Sequence, residues 1–549
     1  MTGLRDLRLP DSRSWADARA AFAWPVIDGY NIAADCLRSD PAKTALISVE
    51  PQGLRRITFG ELDTQTARLG AGLIALGLLP GERVAVKLPQ SVEMAVAVLA
   101  VLRAGGVVVP VSNVLGEDAV RHRLHDSGPR IVVASGSDAE AAYAAEVGAT
   151  LVVTKAGGPG RLLQDLIDGA STTSGSAPMA ATGPDTPALL LYTSGTTGKS
   201  KGVLHGHRVL LGHHAIDYAL DHVRDDDVAY SPVDWAWAGG LLLGLLVPLA
   251  YGVSVVAFRE TRFDVERTVG ILRDSGVSVG LFPPTALRLL RQSGVLSGPV
   301  SQTLRLRCLV TGAEAVEPDL FSWARSELGV TVNNAFGQTE ANALIGHSGV
   351  LGALDPTCLG MPYPGHSVAL LGPSLEPVGV GDPGQIAVRA DDPVAMLRYW
   401  NAPDATTAKV QRGWLLTGDA AHCDEHGQLF FHGRTDDIIK SGGYRIGPAE
   451  IEAAILAHPS AAECAVVGLP DPARGQVVTA YVRLIGDDAP SEQLTKDLQG
   501  RVRAMVGAHA YPRTVHYVTE LPRTSTGKVD RGALRRQASE PDAEEGAKA

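Results

Sequence analysis

Cysteine is scarce in this chain of 549 residues. The five that occur, Cys36, Cys308, Cys358, Cys423 and Cys464, are scattered, with no Cys-x-x-Cys pair. That argues against a disulfide framework or a zinc site and favours a reducing cytoplasm. Positive charge is also short. Forty-nine Lys and Arg against sixty Asp and Glu leave a net charge of −11, so nucleic acid is not the expected partner. The opening MTGLRDLRLPDSRSW lacks an apolar core, and no signal peptide is expected. One long uncharged run exists, Ala236–Phe258. Pro248 and Gly252 interrupt it, and its end, VSVVAF, reads as a strand after a buried helix rather than as part of a membrane span. No collagen-like period accompanies the 61 Gly and 34 Pro, and the 45% hydrophobic share excludes a disordered chain.

What is present is an alternation of strands and helices. The runs RVAVKL (83–88), GVVVPV (106–111), RIVVAS (130–135) and TLVVTK (150–155) are continuous and apolar, and Val92–Leu102 between them is apolar nearly all round. This pattern predicts a parallel sheet covered on both faces. Residues 156–187, rich in Gly, Ser, Thr, Ala and Pro, read as a loop or linker feeding a strand at Ala188–Tyr192. A second α/β series continues through VSVVAF, VSVGLF, LRCLVTGAE and VTVNNAFGQTE. The texture then shifts to short strands and turns from about residue 360, and to a compact α+β module after Arg434. The expected organisation is therefore α/β: a large N-terminal domain, 1–435, of stacked α/β sheets with a β-rich subdomain at about 360–435. A small mobile α+β domain spans 436–538 and a disordered tail 539–549.

The strongest local signal is LLLYTSGTTGKSKGVLHGH, residues 189–207. A strand runs into Thr193, Ser194, Gly195, Thr196, Thr197, Gly198, Lys199, Ser200, Lys201 and Gly202. Glycine lets backbone N–H groups approach an anion, the hydroxyls add donors and the lysines add charge. It is not a Walker A loop, because only two residues separate Gly195 from Gly198. Further along stand AFGQTE (335–340), GWLLTGD with FFHGRTDD (413–437), KSGGYRIGPAEIE (440–452) and LPRTSTGKVDR (521–531). Taken singly, each has a plain alternative: a polar turn, a solvated acid, a helix start or an exposed loop lysine.

In this order the motifs resemble those of the adenylate-forming acyl-CoA synthetases, the superfamily that includes luciferases and peptide-synthetase adenylation domains. The resemblance runs from about residue 30 to 536 and is nearest to the medium-chain acyl-CoA and acetyl-CoA synthetase branch. Two departures stand out: Ser200 where the family usually has Pro, and Asn334 where relatives often have an acid.

The resemblance implies ATP, Mg²⁺ and CoA as reactants and cofactor, with a small carboxylic acid as substrate, no membrane span, and an oligomer as possible. It implies that the 193–198 loop binds phosphates together with Lys199. Gly312, Ala313, Glu314, Asn334, Ala335, Phe336, Gly337 and Gln338 would line the nucleotide, with Phe336 against adenine. Thr339 would meet the α-phosphate and Glu340 would hold the metal, in keeping with a hard cation's demand for oxygen. Asp419 would accept from the ribose hydroxyls, with Arg434 and Arg445 near the phosphates. Asp436 would be a hinge, Lys528 the catalytic lysine, and Gly443, Arg503 and Arg474 CoA contacts. Trp237, Thr311 and Gly337 fall to the acyl pocket. With Gly337 where acetyl-specific relatives carry Trp, a medium-chain or aryl acid is expected. The alternatives are an adenylating enzyme with another acceptor, such as a carrier-protein thiol or an amine, and a nucleotide-binding relic without activity.

Overall fold

The computed structural model describes residues 2–539 apart from 9–11, 13, 174–176, 194–199, 259–262, 297, 313, 315, 317, 436, 438, 442–443, 472–474, 487, 508–509 and 525–527. The chain forms two compact units. The first gathers Met1–Thr193, Ser200–Val368 and Val388–Leu415. The second is built from Ala369–Ala387 and the residues from Leu416 onward.

Two mixed sheets organise the first unit. The eight-stranded one has a parallel centre, Pro187–Tyr192, Val107–Pro110, Arg83–Lys87, Ile131–Ala134 and Thr150–Val153, as the apolar runs predict. The nine-stranded one runs from Gly53–Thr58 through Thr44–Glu50, Ser254–Ala257, Val228–Tyr230, Val279–Leu281 and Cys308–Gly312 to Thr331–Gln338, and closes with Ala341–Gly346 and Met361–Pro362. Helix Val92–Arg103 lies in one buried cluster with side chains of both sheets. Ser91 caps its start by accepting from the Met94 N–H. Valine is a modest helix former, and burial of Val92 and Met94–Leu102 outweighs that preference.

One reading of the sequence changes here. Residues 156–187 are not simply a linker: they contain strand Arg161–Leu162 and helix Leu163–Thr173. Leu163 and Ile167 are buried, one helical turn apart, and the helix packs on Phe59–Ala75. Its Gly, Ser and Thr content hid that short period. The uncharged run folds as helical segments Ala238–Leu241, Leu242–Leu246 and Val247–Ala250, with strand Ser254–Ala257 after them. The middle segment is a widened π-turn, placed where Pro248 removes an N–H that an α-turn would use. No helix among the described residues is long and apolar enough to cross a membrane.

In the second unit, Trp414–Cys423 pairs with Leu429–Arg434, and Gly475–Leu484 sits between Ala461–Asp471 and Thr514–Tyr517. Helices Pro448–Leu456 and Glu492–Met505 share its core. Strand Leu429–Arg434 is tied to helix Pro448–Leu456, since His432 Nδ1 lies 2.6 Å from Glu450 Oε1. The compact units thus divide ahead of the expected 435/436 boundary. The segment 540–549 lies outside the described residues.

The hairpin of Thr331–Gln338 and Ala341–Gly346 is irregular. Phe336 pairs with Ile345 and Gln338 with Ala341, so Gly337 faces the three residues 342–344, one of which, Ala343, has φ of +46°. A Cβ on Gly337 would stand 2.4 Å from the Ala343 nitrogen and 2.9 Å from the Asn342 carbonyl carbon. Gly337→Ala therefore forces backbone apart at an expected cost of about 1–3 kcal/mol. A thermal unfolding midpoint equal to that of the parent chain would disprove this crowding.

Burial also fixes a pH dependence. Desolvation pushes the pKa values of His205, His207 and His213 down to about 4, and that of His214 to about 3. The unfolded chain takes up these protons near pH 6.5. This contribution to stability is complete above about pH 6.5 and drains away as pH falls towards 4. The melting midpoint should be lower at about pH 5 than at about pH 7.5, and equal midpoints would contradict the assignment.

Candidate active site

Thr339 and Glu340 form the tip of that hairpin, a two-residue loop between the paired Gln338 and Ala341. Such loops are at ease with left-handed backbone, which β-branched threonine resists, and neither residue has positive φ. The tip is instead held from outside. His205 Nε2 lies 2.7 Å from the Thr339 carbonyl oxygen, and the neutral, buried imidazole donates to it. The Met396 N–H donates to the Glu340 carbonyl at 2.8 Å. The Tyr399 hydroxyl donates to Glu340 Oε1 at 2.5 Å, and Lys409 Nζ to Gln338 Oε1 at 2.8 Å.

These anchors arrive along one path. The strand Gly202–Gly206 returns antiparallel to Pro187–Tyr192, and the Thr193 N–H donates to the Lys201 carbonyl at 3.0 Å. On its other edge lie Arg398 and Tyr399, paired with Leu204 and Val203. Ala395, three residues earlier, bridges Ala341. Residues 395–399 therefore stitch the edge of the eight-stranded sheet to the hairpin tip of the nine-stranded one. This stitch brings the return strand of the Ser/Thr/Gly loop against Gln338–Glu340. The parallel pairing of Cys308–Gly312 with Thr331–Gln338 sets Thr311 beside Asn334 and Gly312 beside Ala335.

The second unit has its own constellation. Asp419 and Arg434 face each other across the strand pair, with Arg434 Nη1 3.4 Å from both Asp419 oxygens and 3.2 Å from the Thr417 carbonyl. Gly418, at φ +81°, turns the chain there, and a Cβ on it would meet Arg434 Nη2 at 2.8 Å. Lys528 is exposed, its carbonyl accepts from the Thr524 N–H at 2.7 Å, and Arg523 bridges Val529. Arg523 pairs with Glu463 of strand Ala461–Asp471 at 2.7 Å.

Other expected positions fare differently. The Glu314 carboxylate is engaged by Thr285 at 2.9 Å and faces Arg288 at 3.7 Å, both on helix Pro284–Ser293. Asn334 donates to the Leu359 carbonyl at 3.3 Å, and Phe336 is half-buried. Trp235 is fully buried core, whereas Trp237 is half-buried at the start of Ala238–Leu241. Thr311 is buried, and its hydroxyl has no partner among the described residues. At Gly337 the crowded hairpin leaves no room for a Cβ beside the Ala343 and Asn342 backbone. Arg503 lies in the last turn of helix Glu492–Met505 with Cζ 3.8 Å from the Tyr511 ring centre. Arg445 lies on strand Tyr444–Ile446 opposite Lys440. Ser194, Gly195, Thr196, Thr197, Gly198, Lys199, Ala313, Asp436, Gly443 and Arg474 lie outside the described residues. His205, Tyr399 and Lys409 were missed by sequence reasoning. His205 sits inside the quoted loop motif, but Tyr399 and Lys409 carry no local signal.

The model of the AMP-binding enzyme family matches residues 34–400, and that of the AMP-binding enzyme C-terminal domain matches 450–528. An uncharacterized acyl-CoA ligase, YtcI, of Bacillus subtilis (strain 168) is 30% identical over 90% of this chain and 93% of its own. The mitochondrial acyl-coenzyme A synthetase ACSM3 of Mus musculus is 31% identical over 84% of this chain and 81% of its own. The ATP-bound crystal structure of MatB from Rhodopseudomonas palustris superposes with a TM-score of 0.82 at 29% identity, covering 93% of this chain and 99% of that one. With its sheets, its hairpin tip and both modules in family order, the chain belongs to the AMP-binding enzyme family.

Proposed function

We propose that this chain is an AMP-forming acid–CoA ligase. A carboxylate oxygen attacks the α-phosphorus of ATP and pyrophosphate leaves, giving an acyl-adenylate. The CoA thiol, losing its proton, then attacks the acyl carbon and AMP leaves with the bonding pair. The observation that carries this reading is the four-point seat of Gln338–Glu340 beside the return strand of the phosphate loop.

The first step brings two anions together, so its barrier is lowered by fixed positive charge and donors at their meeting point. With its carbonyl locked by His205, Thr339 presents its hydroxyl from a fixed backbone towards the α-phosphate. Glu340 fits a hard cation: among the described residues only Oε1 of its carboxylate is engaged, which leaves an oxygen donor of the kind Mg²⁺ demands. Mg²⁺, when bound, offsets phosphate charge. Lys199 and Lys201 add charge from the loop, and Lys528 supplies the charge nearest the reacting oxygens. Asp419, steadied by Arg434, receives the ribose hydroxyls, with Arg445 towards the phosphates. Gly443, Arg503 and Arg474 serve CoA after rotation about Asp436 withdraws Lys528. The acid is medium-chain or aryl, with half-buried Trp237 as a wall and the unpartnered Thr311 hydroxyl as a polar contact. Each CH₂ buried in that pocket adds about 0.8 kcal/mol of discrimination. The cytoplasm, which holds ATP and CoA, is the setting.

Incubation with ATP, Mg²⁺, CoA and an acid panel, with AMP and thioester both quantified, tests this directly. Equal amounts of AMP and thioester are expected. Adenylate without thioester, or no AMP with any acid, would remove the proposal. Lys528→Ala should cost about 3–4 kcal/mol in adenylation, roughly 10²–10³-fold, while leaving thioester formation from supplied adenylate largely intact. Equal loss of both half-reactions would refute the role of Lys528.

A further inference from the structure

Tyr399 is a buried tyrosine held through its backbone, its hydroxyl and its ring. Its backbone N–H donates to Thr406 Oγ1 at 3.0 Å, and the same hydroxyl donates to the Ala402 carbonyl at 3.0 Å. Its own hydroxyl donates to Glu340 Oε1 at 2.5 Å, a short bond of the charge-assisted kind. Its ring carries the Lys201 ammonium at 5.5 Å from the centre, within cation–π reach. Lys201 is the last residue before strand Gly202–Gly206, at the return end of the phosphate loop. Glu340 is the acid at the hairpin tip. One aromatic side chain, pinned from behind by Thr406, therefore touches both the loop and the acid.

A carboxylate that holds a hard cation works best with one oxygen turned to the ion and the other tied back by a donor. Core packing of Tyr399 requires no such bond: a phenylalanine ring fills the same space without leaving a donor in need of a partner. We propose that Tyr399 is a positioning residue. It ties back one Glu340 oxygen so that the other faces Mg²⁺, and with its ring it seats Lys201, so that the loop and the metal-holding acid share one support. This rests on the reading of Glu340 given above and adds a residue that acts on it.

The test separates the two. Enzyme saturated with a non-hydrolysable ATP analogue is titrated with Mn²⁺, and the fall of the free-ion EPR signal gives the dissociation constant. Tyr399→Phe keeps the ring and removes only the hydroxyl. The Mn²⁺ dissociation constant should rise about tenfold or more, in line with the usual loss when a partner behind a metal ligand is removed. The melting midpoint and the KM for CoA should stay near those of the parent. Unchanged Mn²⁺ affinity in Tyr399→Phe, alongside weakened affinity in a Glu340→Gln control, overturns the role of Tyr399 and leaves the metal reading of Glu340 in place. Unchanged affinity in Glu340→Gln overturns the underlying reading itself. Should Tyr399→Phe fail to fold, Thr406→Val decides: it frees the Tyr399 backbone while keeping the hydroxyl, and is expected to weaken Mn²⁺ binding in the same direction by a smaller factor. No change there overturns the proposal.

Discussion

A two-residue hairpin tip made of threonine and glutamate does not hold its shape by itself. The left-handed backbone that suits such a loop is unfavourable for both residues, and both avoid it. The geometry is imposed from outside, by an imidazole, a backbone N–H, a phenol and an ammonium from distant parts of the chain. Everything proposed for catalysis depends on that restraint. A hydroxyl and a carboxylate aimed at phosphates and a cation act through charge placement, and misplacement costs rate steeply.

The restraint has a further consequence for the sheets. The stitch at residues 395–399 pairs with Gly202–Gly206 on one side and reaches the hairpin tip on the other, so the two sheets of the first unit meet at the site. The bulge opposite Gly337 belongs to the same economy of space: three residues on one strand face one on the other, and only a residue without a Cβ tolerates it. The absence of a side chain at Gly337 relieves a backbone clash that no sequence pattern displays.

The second unit supplies chemistry of a different kind. Asp419 and Arg434 are neighbours across a ladder, so their relation is a matter of strand register. Lys528 is exposed, and Arg523, five residues before it, pairs with Glu463 of strand Ala461–Asp471. The candidate lysine and the Asp419–Arg434 pair are thus carried on the second unit, and the hairpin tip on the first.

Strand and helix positions were legible because their signals are local. Continuous apolar β-branched runs became buried strands, and Val92–Arg103 became a buried helix. The helix Leu163–Thr173 was missed because its few apolar positions sit among small polar residues. Motif residues such as Thr339, Glu340 and Lys528 were also within reach, since their order along the chain is itself the signal. The supports of the site were not. Tyr399 and Lys409 stand 59 and 71 positions from the residues they hold, and His205 stands 134 from Thr339. The linear pattern by itself determined which runs make the sheets and which motif residues are candidates for the chemistry. Only the folded chain decided what holds the hairpin tip and why Gly337 has no side chain, because hydrogen bonds and steric contacts between remote segments come into being only when the sheets pair and pack.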